Sequence, residues 1–168
     1  MANMGAVLYY DSYDTQVGEV GILAGPAGLR RLGWGVAPAG ASREPDETVQ
    51  LVLGQLREYF AGQRGDFDLP LDLPLMEPTT RAVLDALRQV RCGQTTTYAY
   101  LAARSGTGVP ARAIGSIMAA NPVPLVIPCH RVVAGDGLGG YSGGEPGRER
   151  ETKRWLLENE QALPPALV

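Results

Sequence analysis

Short apolar runs separated by Asp, Gly and Pro open the chain. They predict β-strands at Ala6–Tyr10, Gly18–Ala24 and Leu29–Trp34. The segment Gly25–Gly28 between the last two predicts a hairpin connection. Further on, apolar residues of Glu47–Phe60 recur three and four positions apart, which predicts an amphipathic helix. The first part of the chain should therefore form a small sheet covered by one helix.

A break in this pattern divides the chain. The stretch Ala61–Glu77 is rich in Pro, Asp and Gly and predicts a linker. We therefore expect residues 1–78 to form an N-terminal α/β lobe with its linker, and residues 79–168 a C-terminal helical lobe. The predicted fold class is α+β / α/β: a small β-sheet-plus-helix lobe followed by a mainly helical lobe.

Three helical patterns can be read in the C-terminal lobe after an opening helix capped by Thr79 or Thr80. They lie at Tyr98–Ala103, Ala111–Ala119 and Glu151–Glu160. A Gly-containing turn joins the first two of these three, which predicts a helix-turn-helix. Because pairs of helices also pack this way without binding DNA, the pattern alone indicates DNA binding only weakly.

Composition and charge narrow the class of protein. The 168 residues are 45% hydrophobic and 20% charged, as in an ordinary globular protein. No run is long enough to cross a bilayer and the N-terminus lacks a signal-peptide pattern, so we expect a cytoplasmic protein without a membrane partner. We also expect a monomer. The net charge is −3, divided into −6 for residues 1–78 and +3 for residues 79–168. A basic C-terminal half points weakly to a polyanionic partner, and a chance distribution of charge fits equally well.

The chemistry-bearing residues are few. Two cysteines, Cys92 and Cys129, and one histidine, His130, are too few for a disulfide scaffold or a structural zinc site, so we predict no metal and no cofactor. Cys92, which ends a helical pattern without polar neighbours, fits a small buried hydrophobe. Cys129 is followed directly by the only histidine, and a thiol reacts as its thiolate. Because adjacent side chains of a strand face opposite ways, the Cys129 thiol can pair with the His130 ring only through a bridging water or in a turn. Pro128, with its fixed φ, favours such a turn.

The segment Ile127-Pro128-Cys129-His130-Arg131-Val132 resembles the active-site signature of the O6-alkylguanine-DNA alkyltransferases. Between Thr80 and Gln161, further motifs match this family in the same order. They are Thr97-Tyr98, Ala111-Arg112-Ala113, Asn121-Pro122-Val123-Pro124, Tyr141-Ser142-Gly143-Gly144 and Trp155-Leu156-Leu157-Glu158-Asn159-Glu160. Residues 1–78 resemble the N-terminal lobe of the family only in general character.

The resemblance implies DNA repair in which Cys129 displaces guanine from the alkyl group at its O6 and is itself consumed. His130 would act as base through a bound water, and Glu160 would orient it. Tyr98 would donate its proton to guanine N3, and Asn121 would hold the turn before the cysteine segment. The expected partner is duplex DNA containing O6-alkylguanine.

The resemblance also implies a substrate pocket and a DNA-binding surface. The pocket residues would be Val132, Tyr141, Ser142, Pro124, Gly143 and Met118, with the Ser142 N–H bonded to O6 and the Cys129 and Val132 carbonyls to the exocyclic amine. Arg112 would fill the space left by the flipped base. The other residues against the minor groove would be Ala111, Ala113, Thr97, Gly115 and Ser116.

Three other functions fit parts of the pattern. A non-catalytic damage-recognition protein shares the lobe but carries another residue, often tryptophan, in place of the cysteine, which Cys129 disfavours. A helix-turn-helix regulator leaves the Cys129–His130 pair unexplained. A cysteine hydrolase normally takes its histidine from elsewhere in the chain.

Overall fold

The computed structural model describes residues 5–163, and its N-terminal lobe is built on a three-stranded antiparallel sheet in the order β1-β2-β3. The strands are β1 (Tyr9–Thr15), β2 (Gly18–Gly25) and β3 (Gly28–Gly33). Residues 26 and 27 connect β2 to β3 as a hairpin, as the sequence predicts. The sheet-plus-helix lobe followed by a mainly helical lobe confirms the predicted fold class.

The prediction for the first strand, Ala6–Tyr10, is wrong at both ends. The strand begins at Tyr9 and continues through Asp11 and Asp14, which were assigned to a turn. Among the strands that the structure describes, β1 pairs only with β2, and its other side carries a single bridge from Tyr9 to Ser42. Its polar side chains remain partly exposed, as charged residues of an edge strand commonly are.

The helix α1 spans Glu47–Phe60, which confirms its predicted bounds. The Asp46 carboxylate accepts the Val49 N–H at 3.1 Å and caps the N-terminus. Val52 and Leu56 are fully buried and pack with the sheet in a single apolar cluster.

The connection between the lobes is held against β3. The Leu29 N–H donates to the Pro70 carbonyl and the Asp72 N–H donates to the Leu29 carbonyl, both at 2.8 Å. Gly28 permits this approach, because its φ is +140° and a Cβ there would lie 2.5 Å from the Pro70 oxygen. The segment therefore has a fixed path although it forms no helix.

In the part that the structure describes, the C-terminal lobe contains four α-helices and a short parallel strand pair. The helices are α2 (Pro78–Leu87), α3 (Tyr98–Arg104), α4 (Ala111–Ala119) and α5 (Glu149–Asn159), and the strands are β4 (Thr96–Thr97) and β5 (Val132–Val133). α3 and α4 pack together across residues 105–110, as predicted for the helix-turn-helix. The last helix begins two residues before its predicted start and ends at Asn159, so Glu160 is its C-cap.

The predicted cap of α2 is wrong. The helix begins at Pro78, Glu77 is the N-cap residue, and no side chain caps the first turn. Thr79 and Thr80 lie inside the helix. Proline at the first helical position needs no N–H partner and has the helical φ already, so it sets the start in place of a threonine.

One apolar core extends through both lobes. Phe60 at the end of α1 stacks on Trp155 of α5, with ring centroids 5.4 Å apart. Within residues 5–163, no helix is long and apolar enough to cross a membrane. The shared core fixes α1 against α5, and the reactive residues lie beside this contact.

Candidate active site

The turn between α4 and the cysteine segment is held by Asn121. Its Nδ2 donates to the Ile127 carbonyl at 2.8 Å, and its Oδ1 accepts the Val123 N–H at 3.0 Å. Both ends of the loop are thereby fixed, and Cys129–Arg131 follows as a single 3₁₀ turn. In a 3₁₀ turn, unlike in an extended strand, adjacent side chains such as those of Cys129 and His130 do not point in opposite directions.

His130 is bonded to Glu160 in the protein interior. The distance from Nε2 to the Glu160 Oε2 is 2.6 Å, and both side chains are buried. A carboxylate oxygen can only accept, so Nε2 is the donor in this hydrogen bond. Nδ1 is buried and has no hydrogen-bond partner among the described residues. Nδ1 is therefore the ring nitrogen that remains to exchange a proton with another group.

Glu160 is also held by two other side chains. Arg131 Nε donates to Oε1 at 2.8 Å, and the Tyr59 hydroxyl donates to Oε2 at 2.5 Å. Burial alone would raise the pKa of Glu160, but the charges and hydrogen bonds of His130 and Arg131 bring it down to about 2. Burial, followed by the Glu160 charge, raises the pKa of Tyr59 well above its usual range. Glu160 is therefore ionised and Tyr59 remains a hydrogen-bond donor at neutral pH.

Arg131 connects this carboxylate to the segment between the lobes. Its Nη1 donates to Asp66 at 2.8 Å and to the Val90 carbonyl at 2.7 Å. Sequence reasoning assigned no role to Arg131, Asp66 or Tyr59. Tyr59 lies 101 positions from its partner Glu160, and Asp66 lies 65 positions from its partner Arg131. No local sequence pattern could therefore indicate either contact.

The thiol of Cys129 is buried and lies near a cation. Burial raises the pKa of the Cys129 thiol, while the Asn121 side chain and the Lys153 charge favour the thiolate. Lys153 Nζ is buried and donates to the Val132 carbonyl at 2.6 Å and the Gly140 carbonyl at 2.7 Å. Burial lowers the pKa of Lys153 to about 8. Sequence reasoning missed Lys153, although it is the only lysine in the chain.

A cavity of about 240 Å³ opens onto the thiol and will be called the base pocket. It brings together six residues that the sequence analysis assigned to the site. These are Tyr98, Gly115, Met118, Cys129, Tyr141 and Ser142, with Gly140 as the seventh lining residue. A larger groove, of about 740 Å³, lies between α2 and α3 and does not include Cys129.

Tyr98 lies at one side of the base pocket. Its hydroxyl donates to the Gly140 carbonyl at 3.3 Å, and Lys153 Nζ lies 6.0 Å from the centre of its ring. Burial raises the pKa of Tyr98, so the phenol keeps its proton at neutral pH. Tyr98 can therefore supply a proton to a group bound in the pocket.

The other site residues assigned from sequence fall into two groups. Asn121, Pro124 and Gly143 line an adjacent cavity that Cys129 also borders. Val132, His130 and Glu160 are buried and line neither cavity. The Val132 carbonyl already accepts from Lys153, which leaves one lone pair for a ligand.

The residues assigned to DNA lie near the surface of α3 and α4. Arg112, Gly115 and Ser116 are exposed, and Ala111 and Ala113 are half-buried. Arg112 makes no ion pair with any residue between 5 and 163. Thr97 is the N-cap of α3 and accepts the Tyr100 N–H at 3.1 Å, so its hydroxyl also has a structural role.

The prediction that Cys92 is a small buried hydrophobe at the end of a helix is wrong, because α2 ends at Leu87 and the Cys92 side chain is only half-buried. The Cys92 N–H donates to the Asp66 carboxylate at 3.1 Å. Asp66 comes from the segment between the lobes, so this contact was not visible from the local sequence. Cys92 lies outside the base pocket.

Both parts of the chain match models of one protein family. Residues 8–73 match "6-O-methylguanine DNA methyltransferase, ribonuclease-like domain", and residues 78–162 match "6-O-methylguanine DNA methyltransferase, DNA binding domain". The second match alone covers half of the chain.

Two relatives of known name and one solved structure also resemble this chain. A "DNA base-flipping protein" of Thermus thermophilus is 36% identical over 151 residues, covering 89% of this chain and 97% of that protein. A "methylated-DNA–protein-cysteine methyltransferase" of Salmonella typhimurium is 41% identical over 110 residues, covering 65% of this chain and 61% of that protein, so the match spans less than two thirds of the relative. The crystal structure of Mycobacterium tuberculosis OGT in complex with DNA superposes with a TM-score of 0.79, at 32% identity, over 95% of this chain and 97% of that one.

Proposed function

Because the chain belongs to the 6-O-methylguanine DNA methyltransferase family, we propose that it repairs DNA by moving an alkyl group from guanine O6 to Cys129. The observation that carries the proposal is the position of Cys129: its buried side chain lines the base pocket, and the next residue, His130, is hydrogen-bonded to Glu160. A thioether is stable to neutral water, so each molecule reacts once.

The thiolate forms by transfer of the thiol proton to His130. Nδ1 holds the free lone pair, and a water molecule between it and the thiol carries the proton. Glu160 stabilises the resulting imidazolium through Nε2. Lys153 opposes the cost of placing negative charge on the buried sulfur.

The leaving group is stabilised at three points of the guanine ring. As the C–O6 bond breaks, Tyr98 donates its proton to N3 and neutralises the developing charge. The Ser142 N–H bonds O6, and the Cys129 and Val132 carbonyls accept from the exocyclic amine. Tyr98 and Ser142 line the base pocket with the thiol, which supports these assignments.

Duplex DNA carrying O6-alkylguanine is the proposed partner. The base must leave the stack to reach a buried thiol, and extrusion costs a few kcal/mol. The small residues of α4 allow a close approach to the minor groove, and Arg112 fills the gap in the duplex. Every proposed reacting residue comes from one chain, which supports a monomer as the active form.

We assign the two lobes different tasks. Residues 79–168 supply the nucleophile, the base and the DNA-binding surface. Residues 1–78, with the linker, support them through the bonds of Tyr59 to Glu160 and of Asp66 to Arg131. This division follows the proposed boundary near residue 78.

The second candidate function is recognition of damaged DNA without transfer, and the name of the Thermus thermophilus relative is the observation in its favour. Such a protein needs the base pocket and Arg112 but no nucleophile. Transfer is favoured because Cys129 is present, because the neighbouring His130 is hydrogen-bonded to Glu160, and because the charge of Lys153 favours the thiolate.

Transfer is tested by the amount of DNA repaired. With duplex containing O6-methylguanine in excess, we expect guanine to form until one base is restored per protein molecule, because the thioether is not released. Chromatography of the digested DNA measures the yield. Continued turnover, or no guanine with tight binding of the lesion, would contradict single-use transfer.

Replacing Arg112 tests the base-flipping step. Arg112→Ala should slow methyl transfer from duplex DNA about tenfold, because the gap in the stack loses its filling side chain. Transfer from single-stranded DNA should change much less, since no stack is opened. Arg57→Ala, an exposed arginine of α1, is the matched control for loss of charge. Equal slowing on both kinds of DNA would show that Arg112 does not assist flipping.

A further inference from the structure

Asp66 holds the far side of the guanidinium that binds Glu160. Arg131 Nε donates to the Glu160 Oε1, and Arg131 Nη1 donates to the Asp66 Oδ1, both at 2.8 Å. The Val90 and Gly65 carbonyls accept from Nη1 and Nη2 at 2.7 and 3.1 Å. The guanidinium is therefore fixed between two carboxylates, and it connects Asp66 to the base of the site.

The four side chains of this arrangement, which will be called the charge cluster, differ in their access to water. Those of His130, Glu160 and Arg131 are at most 2% exposed, whereas that of Asp66 is 38% exposed. A charge on Asp66 therefore loses little hydration. Every charge on the other three side chains must be balanced inside the protein.

The charges of the cluster balance only when His130 is protonated. Two carboxylates and one guanidinium leave one negative charge in excess while the imidazole is neutral. Transfer of the thiol proton to His130 adds the positive charge that cancels it, and the charge of Lys153 favours the thiolate left on Cys129. Without Asp66 the two other charges would already balance, and a proton on His130 would leave a buried positive charge in excess.

The other titratable groups around the cluster do not supply this negative charge. Burial raises the pKa of Tyr59 in α1 and of Tyr141 in the loop before α5 well above the usual range, so both phenols stay neutral. Burial also raises the pKa of the Cys92 thiol. Arg91 lies 3.7 Å from the Asp66 carboxylate and is 72% exposed, so water screens its opposing charge.

We infer that Asp66 is a positioning residue for the transfer reaction. Acting through Arg131, it supplies the negative charge that lets His130 accept the proton of the reactive thiol. The S–H bond of Cys129 breaks, its electron pair stays on sulfur, and the proton passes through water to His130 Nδ1. Asp66 does not line the base pocket and takes no part in the displacement itself. The inference rests on the proposed function, because it concerns how the attacking thiolate forms.

Replacement of Asp66 by asparagine tests the charge alone. The Asp66 Oδ1 accepts from Arg131 Nη1 at 2.8 Å and from the Cys92 N–H at 3.1 Å, and an asparagine oxygen can keep both bonds. At pH 7, Asp66→Asn should slow methyl transfer from duplex O6-methylguanine about fivefold, because a unit charge acts across the protein interior but is partly screened here. The slowing should shrink as the pH rises, since hydroxide then removes the thiol proton without His130. Asp68→Asn, an exposed aspartate two positions further on, is the matched control.

A second readout needs no DNA. Iodoacetamide alkylates a thiolate with loss of iodide, and peptide mass spectrometry measures the reaction of each cysteine separately. Asp66→Asn should slow the alkylation of Cys129 about fivefold at pH 7. It should speed the alkylation of Cys92, because the charge of Asp66 opposes a thiolate there. Asp66→Glu keeps the charge and should stay closer to the wild type than Asp66→Asn in both readouts.

The outcomes are distinguishable. No methyl transfer by the wild type overturns the proposed function, while slower alkylation of Cys129 in Asp66→Asn still supports the role of Asp66. Equal slowing of methyl transfer at every pH overturns that role, because displaced side chains and not a lost charge then limit the rate. Faster alkylation of both cysteines also overturns it, because Asp66 then serves only to hold the fold. A larger effect of Asp66→Glu than of Asp66→Asn contradicts it too, because shape and not charge then matters.

Discussion

Glu160→Gln will transfer methyl groups about ten-thousandfold more slowly than the wild type, the scale at which an orienting carboxylate acts in a nucleophile–base–orienter set. An amide presents either its oxygen or its N–H to Nε2. In both cases the imidazolium loses the negative charge that stabilises it, and with the N–H presented the ring also takes the wrong tautomer. Single-turnover rates on duplex O6-methylguanine measure the effect, with Glu158→Gln, an exposed position of the same helix, as control.

The same variant should have an altered acid stability. The pKa of Glu160 is about 2 in the folded protein and near 4.5 ordinarily, so the wild type binds fewer protons folded than unfolded. The contribution of Glu160 to the free energy of unfolding is therefore fully present above about pH 4.5. It is lost as the pH falls towards 2, and the loss amounts to about 3 kcal/mol. Denaturant unfolding of Glu160→Gln should lack this loss and should begin from a lower stability at neutral pH, because Arg131 loses a buried partner. Wild-type transfer by the variant would contradict the assigned role of Glu160.

Tyr98→Phe should slow methyl transfer about a hundredfold, because the guanine then leaves without a proton at N3. The ring beside Lys153 is retained, so the pocket keeps its shape. Single-turnover rates again measure the change. Tyr100→Phe, an exposed tyrosine of the same helix, should react as the wild type does.

A modified base identifies the atom that receives the proton. In O6-methyl-3-deazaguanine a carbon replaces N3, and the wild type should react with it more slowly than with O6-methylguanine. Tyr98→Phe should show no additional loss on this substrate, because the acceptor is already absent. A full additional loss would show that Tyr98 acts by packing or at another atom.

The sequence predicted the parts of this fold that depend on local pattern. The spacing of apolar residues gave α1 and α4 with the observed bounds, because these helices bury one continuous face. The hairpin between β2 and β3 followed from Gly and Pro at its turn. The first strand was misplaced because exposure at the sheet edge, and not local composition, decides whether Asp11 and Asp14 fit a strand.

The candidate site was also predictable only where local sequence motifs mark it. Cys129 and His130 are neighbours, and their motif led to Tyr98, Ser142 and Glu160 through family resemblance, since Glu160 alone resembles an exposed residue near a chain end. Contacts across the fold escaped prediction. Tyr59 and Asp66 reach the site from the other lobe, and no periodicity relates them to Cys129.

The central claim is that Cys129 accepts the alkyl group, and intact protein mass tests it most directly. Wild type and Cys129→Ser are incubated with excess duplex containing O6-methylguanine. The intact mass of each protein is then measured by mass spectrometry, and each protein is digested to locate any modification. We predict a gain of one methyl group per wild-type molecule, on the peptide containing Cys129, and no gain by Cys129→Ser. No gain by either protein, with both binding the lesion more tightly than undamaged duplex, would contradict transfer and identify a recognition protein in which Cys129 only lines the pocket.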